Sequence, residues 1–251
     1  MEIKCTQCSA GITYKEGDKF VQCNFCEASL YIDRSRLLFH YWIKPTLDMP
    51  GAHLNLRRWM AGNETMGGLD VKAKTVEESF FFFPLWRFVI RRMGEDETLI
   101  EPAVSTPITE IRHLEIPAGM LNFYKPSRVE NPEAFLPLEV SYESAMKWLE
   151  EREIDTRLVT QASIVHIPLY RFTYEYDEYL YSAVVEAATG KVLANVYPGK
   201  KEAPFLLVTA GTGLLLFVAG ILSPNIMIRL IAMTALTVPL GFLANYVVKK
   251  Y

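Results

Sequence analysis

Four cysteines hold the clearest chemistry in this 251-residue chain: Cys5, Cys8, Cys23 and Cys26, in the pattern CTQC, fourteen residues, CNFC. Each Cys-x-x-Cys is tight enough to place two thiolates on one ion, and two such pairs complete the tetrahedral four-thiolate set of a closed structural zinc site. A redox dithiol or an iron–sulfur cluster would draw on the same residue type, but neither has supporting context here. Four thiolates leave no open coordination position, so the expected zinc holds up structure and activates nothing. All four cysteines fall within the first 26 residues, leaving none for disulfides elsewhere. That usage fits a reducing compartment.

The elements that must position these thiols are short strands. GITY (Gly11–Tyr14) and KFVQC (Lys19–Cys23) flank the turn KEGD, and SLYID (Ser29–Asp33) follows the second pair. A β-hairpin across KEGD is therefore expected between the two pairs. Over residues 3 to 33 the stretch resembles the zinc ribbon family, and the resemblance implies a small fold held up by its metal. Ribbons bind nucleic acid in some proteins and other proteins elsewhere. Here Lys4, Lys15, Lys19, Arg34 and Arg36 are balanced by Glu2, Glu16, Asp18, Glu27 and Asp33. Few aromatics are present to stack on bases, only Tyr14, Phe20, Phe25 and Tyr31. The balance favours a structural or protein-docking ribbon over a nucleic-acid one.

Beyond the ribbon (1–36) the chain repeats itself, giving two expected α+β units, 37–117 and 118–200, each a helix on an antiparallel sheet. PLWRF (Pro84–Phe88) matches PLYRF (Pro168–Phe172) 84 residues on, and HYWIKPT (His40–Thr46) matches NFYKPS (Asn122–Ser127). A helical segment follows each Lys-Pro, HLNLRRWMAG (His53–Gly62) and SYESAMKWLEERE (Ser141–Glu153), the latter with Ser141 as N-cap. YRFTYEY sets Tyr170, Phe172, Tyr174 and Tyr176 on one strand face. The second unit is similar to a PepSY-type module, in which a helix precedes strands ending in an acidic-Ala-x-Thr-Gly-x-Val turn. EAATGKV (Glu186–Val192) supplies that turn, with Glu186 where the family more often has Asp. The resemblance implies a binding or regulatory unit.

No catalytic constellation emerges from spacing. His40, His53, His113 and His166 are scattered, and His166 reads as a packed or edge residue. GTG at Gly211–Gly213 and GG at Gly67–Gly68 lack the Lys-Ser/Thr of a phosphate loop. Glu77–Glu78 and Glu150, Glu151, Glu153 read as solvated faces, and Phe80–Phe83 as a buried strand. An enzyme is not expected.

The C-terminal end carries two apolar runs, Phe205–Leu222 and Ile226–Val248, separated by Ser223, Pro224 and Asn225. As helices they would span roughly 27 and 34 Å, so a transmembrane hairpin is expected, with Arg229 as its one charge. Pro239 would kink the second helix, and Gly211, Gly213 and Gly220 offer a close-packing surface to the hairpin itself or to another subunit. Lys200, Lys201, Lys249 and Lys250 place both ends in the cytoplasm by the positive-inside rule. MEIKCTQCS has no apolar core of a signal peptide. Of the charged residues, only Arg229, Lys249 and Lys250 lie beyond residue 204, leaving a head of formal charge −6 with little pull on nucleic acid. The order of segments resembles prokaryotic zinc-ribbon membrane proteins of poorly defined function. For some of these the family analogy implies work beside membrane-organising SPFH-domain proteins. The expected function is a membrane-anchored, cytoplasm-facing adaptor or scaffold that contacts the bilayer and protein partners or copies of itself. The alternative is a membrane tether binding nucleic acid through the ribbon and the clusters Arg57–Arg58, Lys72/Lys74 and Arg87/Arg91/Arg92.

Overall fold

A computed structural model describes residues 2–33, 36–106, 108–116, 118–126, 129, 131–200, 209–215, 217–218, 227, 235, 237 and 239–242. The described chain is mostly β. Strands β1 (Glu2–Lys4) and β2 (Gly11–Thr13) pair as a two-stranded antiparallel sheet. Nine further strands join a single sheet: β3 (Phe20–Gln22), β4 (Ser29–Asp33), β5 (Arg36–Ile43), β6 (Lys74–Arg92), β7 (Glu95–Pro102), β8 (Leu121–Phe123), β9 (Val159–Tyr176), β10 (Tyr179–Glu186) and β11 (Val192–Leu193). The α-helices among the described residues before residue 200 are α1 (Met49–Met60), α2 (Leu69–Lys72) and α3 (Tyr142–Glu151).

Two compact units are present, residues 1–56 with 74–196 and residues 57–73 with 197–251. In the second, the Thr65 hydroxyl donates to the Met60 carbonyl at 2.6 Å, Thr65 bridges Gly199, and Trp59 meets Tyr197 edge to face. The first unit contains the large sheet.

At the centre of that sheet β6 and β9 run antiparallel, from Lys74 opposite Glu175 to Ile90 opposite Val159. FFFFPLWRFVI and ASIVHIPLYRF have little polar alternation, so both faces of each strand seek cover and the middle of the sheet is where they find it. The two PL-aromatic motifs thus lie side by side, with Phe82 opposite Pro168, Phe83 opposite Ile167 and Pro84 opposite His166. Each long strand then turns back through a two-residue hairpin, β6 into β7 at Met93–Gly94 and β9 into β10 at Asp177–Glu178. All four turn residues have positive φ, which gives the twist that matches paired strands.

One face of the sheet packs Trp86, Phe88, Ala162 and Ile164 against Ala145 and Leu149 of α3. The Ser141 hydroxyl accepts from the Ser144 N–H at 3.1 Å and starts that helix. The other face packs Phe83, Leu85, Val165, Ile167 and Leu169 under Ile108, Ile111, Leu114 and Ile116. At the end of α3, Arg152 meets Glu101, a carboxylate with 0% exposure that also accepts from Arg112 at 2.7 Å. The predicted EAATGKV turn forms between β10 and β11, where the Glu186 carboxylate accepts from the Ala188 and Thr189 N–H groups at 2.8 and 2.7 Å.

Two expectations of fold are corrected. The two separate α+β repeats are replaced by one sheet, because the motif strands pair with each other and so share a core. Sequence similarity between two strands carries no information on whether each pairs within its own copy. The ribbon is also joined to this sheet, through β4 pairing with β5. The second correction concerns the transmembrane hairpin. No helix among the described residues is long and apolar enough to cross a membrane. Much of both runs, Phe205–Leu222 and Ile226–Val248, lies outside the described residues, as do Lys201, Arg229, Lys249 and Lys250. Apolar length is a requirement for a span, but it does not make a continuous helix of about 20 residues. The two-pass integral-membrane location with a cytoplasmic head has no support in this structure.

Candidate metal centre

The four predicted ligands converge. The Sγ atoms of Cys5, Cys8, Cys23 and Cys26 all lie within 4.8 Å of one another. Cys5 and Cys26 are 3.8 Å apart, and Cys8 and Cys23 are 3.5 Å apart. A tetrahedron with metal–sulfur bonds of about 2.3 Å has sulfur–sulfur edges of roughly 3.8 Å, so the set fits a metal ion.

The same backbone loop builds both halves. Cys5 N–H donates to the Ala10 carbonyl at 2.8 Å, and Ser9 N–H to the Cys5 carbonyl at 2.9 Å. Cys23 N–H donates to the Ala28 carbonyl at 3.0 Å, and Glu27 N–H to the Cys23 carbonyl at 2.8 Å. Ser9 and Glu27, each following the second cysteine of its pair, take φ of 62° and 61°. That left-handed residue folds the chain back tightly around two sulfurs. Each pair therefore tops its own hairpin, β1–β2 or β3–β4. The hairpin expected across Lys15–Asp18 is a turn instead, where the Asp18 carboxylate accepts from Lys15 N–H at 2.9 Å. The reason is local: a cysteine knuckle needs the strands before and after the same pair side by side.

Burial and mutual contact set the thiols apart. Burial, joined by the neighbouring thiols, pushes Cys26 up to about 12, and burial raises Cys5. For Cys23 burial pushes upward too, but donation from the Cys26 and Phe25 N–H groups and contacts with the Cys8 and Cys26 thiols outweigh it, leaving about 7. A bound cation would draw all four into the thiolate form and release protons. Ile12, Leu30, Ile32 and Leu37 close around Cys5 and Cys23. The assembly is a zinc-ribbon-like module that can hold a metal.

Two histidines that spacing left scattered are brought together. His40 on β5 and His166 on β9 meet Nε2 to Nδ1 at 2.9 Å, and both are buried. His166 Nε2 lies 3.1 Å from the Leu136 carbonyl, which can only accept, so that nitrogen carries the proton. His166 Nδ1 then accepts from His40 Nε2–H, and His40 Nδ1 takes the Ser29 hydroxyl at 3.4 Å. Burial holds His166 down at about 4 and His40 well below its ordinary value. Tyr124 stacks on His40 and Phe135 covers His166. The only hint in sequence was a histidine inside each apolar run, LLFHYWI and SIVHIPL. His53 instead pairs with Glu78 at 2.7 Å.

The basic clusters are put to local use on β6. Arg87 is buried in the sheet, Arg91 binds Asp96 at 2.7 Å and Arg92 faces Glu97 at 3.6 Å. Arg57 and Arg58 fall in the last turn of α1, and Lys72 in that of α2, where cations suit the helix dipole. Compared with protein families, characterised proteins and solved structures, the chain matches none.

Proposed function

We propose that the protein is a zinc-stabilised, non-catalytic adaptor that docks other proteins through its N-terminal metal module. Four thiolates in a tetrahedral arrangement suit zinc among the common divalent ions. They also fill its coordination sphere, so the ion has a structural role. The observation that carries the docking role is Phe25. It sits between two ligands, Cys23 and Cys26, at the tip of the second knuckle and is 74% exposed. An aromatic side chain presented on a metal-rigid loop offers a large contact area at little entropic cost to a partner's pocket. Arg91 and Arg92 of β6 are paired with the hairpin acids Asp96 and Glu97, which favours a protein surface over nucleic acid as the partner.

The test compares the intact wild-type chain with Phe25→Ala in cross-linking and affinity recovery, with zinc measured on both. The expected result is zinc in both proteins and a specific partner recovered only by the wild type. Equal recovery by the two proteins, or a wild type without zinc, would remove the reading.

A further inference from the structure

The large sheet contains the same polar triplet twice, and only one copy is electrically complete. In one copy Arg171 on β9 stands opposite Ser79 on β6, and its guanidinium faces Glu77 at 3.9 Å. In the other, Arg87 on β6 stands opposite Ser163 on β9, and its guanidinium reaches Gln161 Oε1 at 3.4 Å. Serine, arginine and the third residue occupy matching places, 84 residues apart in the chain. The acid of the first triplet is an uncharged amide in the second.

The incomplete copy is also the buried one. Arg87 is 8% exposed and Ser163 is 0% exposed. Arg87 Nε and Ser163 Oγ are sealed from solvent with no hydrogen-bond partner among the described residues; Ser79 Oγ of the other copy has none either, so the copies differ at the guanidinium. Arg87 makes no ion pair among those residues. Its neighbour across β7 is Ile100, and Leu85 and Val89 flank it along the strand. A guanidinium keeps its charge at any relevant pH, so burying one beside an isoleucine and an amide leaves a cation lacking a counter-charge. The guanidinium N–H groups can only donate, and the serine hydroxyl can donate as well as accept. Tyr41 on β5, on the opposite side of β9 from β6, lies within the field of Arg87. Gln161 is exposed and marks the side from which the niche meets solvent.

We infer that the Arg87–Ser163–Gln161 niche is a binding site for the carboxylate group of a small ligand, which supplies the negative charge that Glu77 supplies in the matching triplet. The ligand's carboxylate enters beside Gln161, accepts from the guanidinium and from the Ser163 hydroxyl, and makes the second triplet complete. A carboxylate matches the planar fork of arginine and the size of the group that is missing. The site is separate from the metal module and does not depend on the docking role of Phe25.

The triplet itself supplies the decisive variant. Gln161→Glu builds the internal counter-charge and should occupy the niche as Glu77 occupies its own. Thermal melts of the full zinc-loaded chain would be followed as acetate replaces chloride at constant ionic strength. Inorganic phosphate provides a parallel arm, and Glu77→Gln provides a control in the other triplet. The wild type should rise in melting temperature with acetate and Glu77→Gln should match that rise. Gln161→Glu should start higher in chloride and bind acetate roughly tenfold or more weakly, because a carboxylate already stands at the guanidinium. An equal acetate response in wild type and Gln161→Glu, or no response in the wild type, would overturn the site. A larger response to phosphate than to acetate would overturn the carboxylate assignment.

Discussion

Acid should destabilise this protein through two buried histidines before most of its carboxylates are protonated. In the native state His166 is neutral, with its Nε2–H given to the Leu136 carbonyl and its Nδ1 occupied by His40. Burial lowers its pKa from 6.5 to about 4. The folded-state value is depressed, so below about pH 6.5 the unfolded chain binds a proton that the folded chain refuses. Stability is therefore fully present above the unfolded value and drains away as the pH falls from 6.5 towards 4. A drop from 6.5 to about 4 at roughly 1.4 kcal/mol per unit amounts to about 3 kcal/mol. His40, lowered by burial and by the repulsion that a protonated His166 would exert, adds in the same direction. That sum is a large share of the 5–15 kcal/mol or so typical of a domain. The assay is urea unfolding of zinc-saturated protein followed by tryptophan fluorescence, repeated at intervals between about pH 7.5 and pH 4.5, for wild type and His166→Gln. Glutamine can still donate to Leu136 and accept from His40 but does not titrate. Acid release of metal affects both proteins equally and cancels in the difference. Between pH 6.5 and 4 the wild type should lose stability more steeply than the variant, by up to about 1.4 kcal/mol per pH unit. Parallel curves for the two proteins would refute the argument.

Two further outcomes follow from buried groups. Cys23→Ser leaves three thiolates, so metal content should fall and amide protection should vanish across β1–β4, while the β6–β9 pairing keeps its slow exchange; uniform loss of protection would show that the sheet depends on the module. Glu101→Gln removes the charge between Arg112 and Arg152, whose own side chains reach solvent, and should cost about 3 kcal/mol in urea unfolding. A cost below about 1 kcal/mol would mean that solvent already screens the cluster.

Some of this was legible in the residues themselves, because the determining physics is local. Each Cys-x-x-Cys pair sets its two thiols within a few residues of each other, so the candidate ligand set could be named without tertiary information. The start of α3 at Ser141 and the Glu186–Val192 turn are likewise settled within a few residues, by a side chain accepting from nearby N–H groups. The pairing of β6 with β9 was of another kind. Two similar strands can pair within their copies or with each other, and the choice belongs to the core that both faces must fill. The parallel pairing of β5 with β9 placed His40 against His166, 126 residues apart, and the β6–β9 pairing set Arg87 beside Ser163 and Gln161. The apolar stretches after Phe205 show the same limit from the other side, since hydrophobicity alone says that a segment avoids water but not which surroundings it finds. Local spacing marked the candidate metal ligands; only long-range strand pairing decided which buried polar groups among the described residues found full sets of partners and which, Arg87 and Ser163 among them, did not, because burial is a property of the whole sheet and not of any stretch of it.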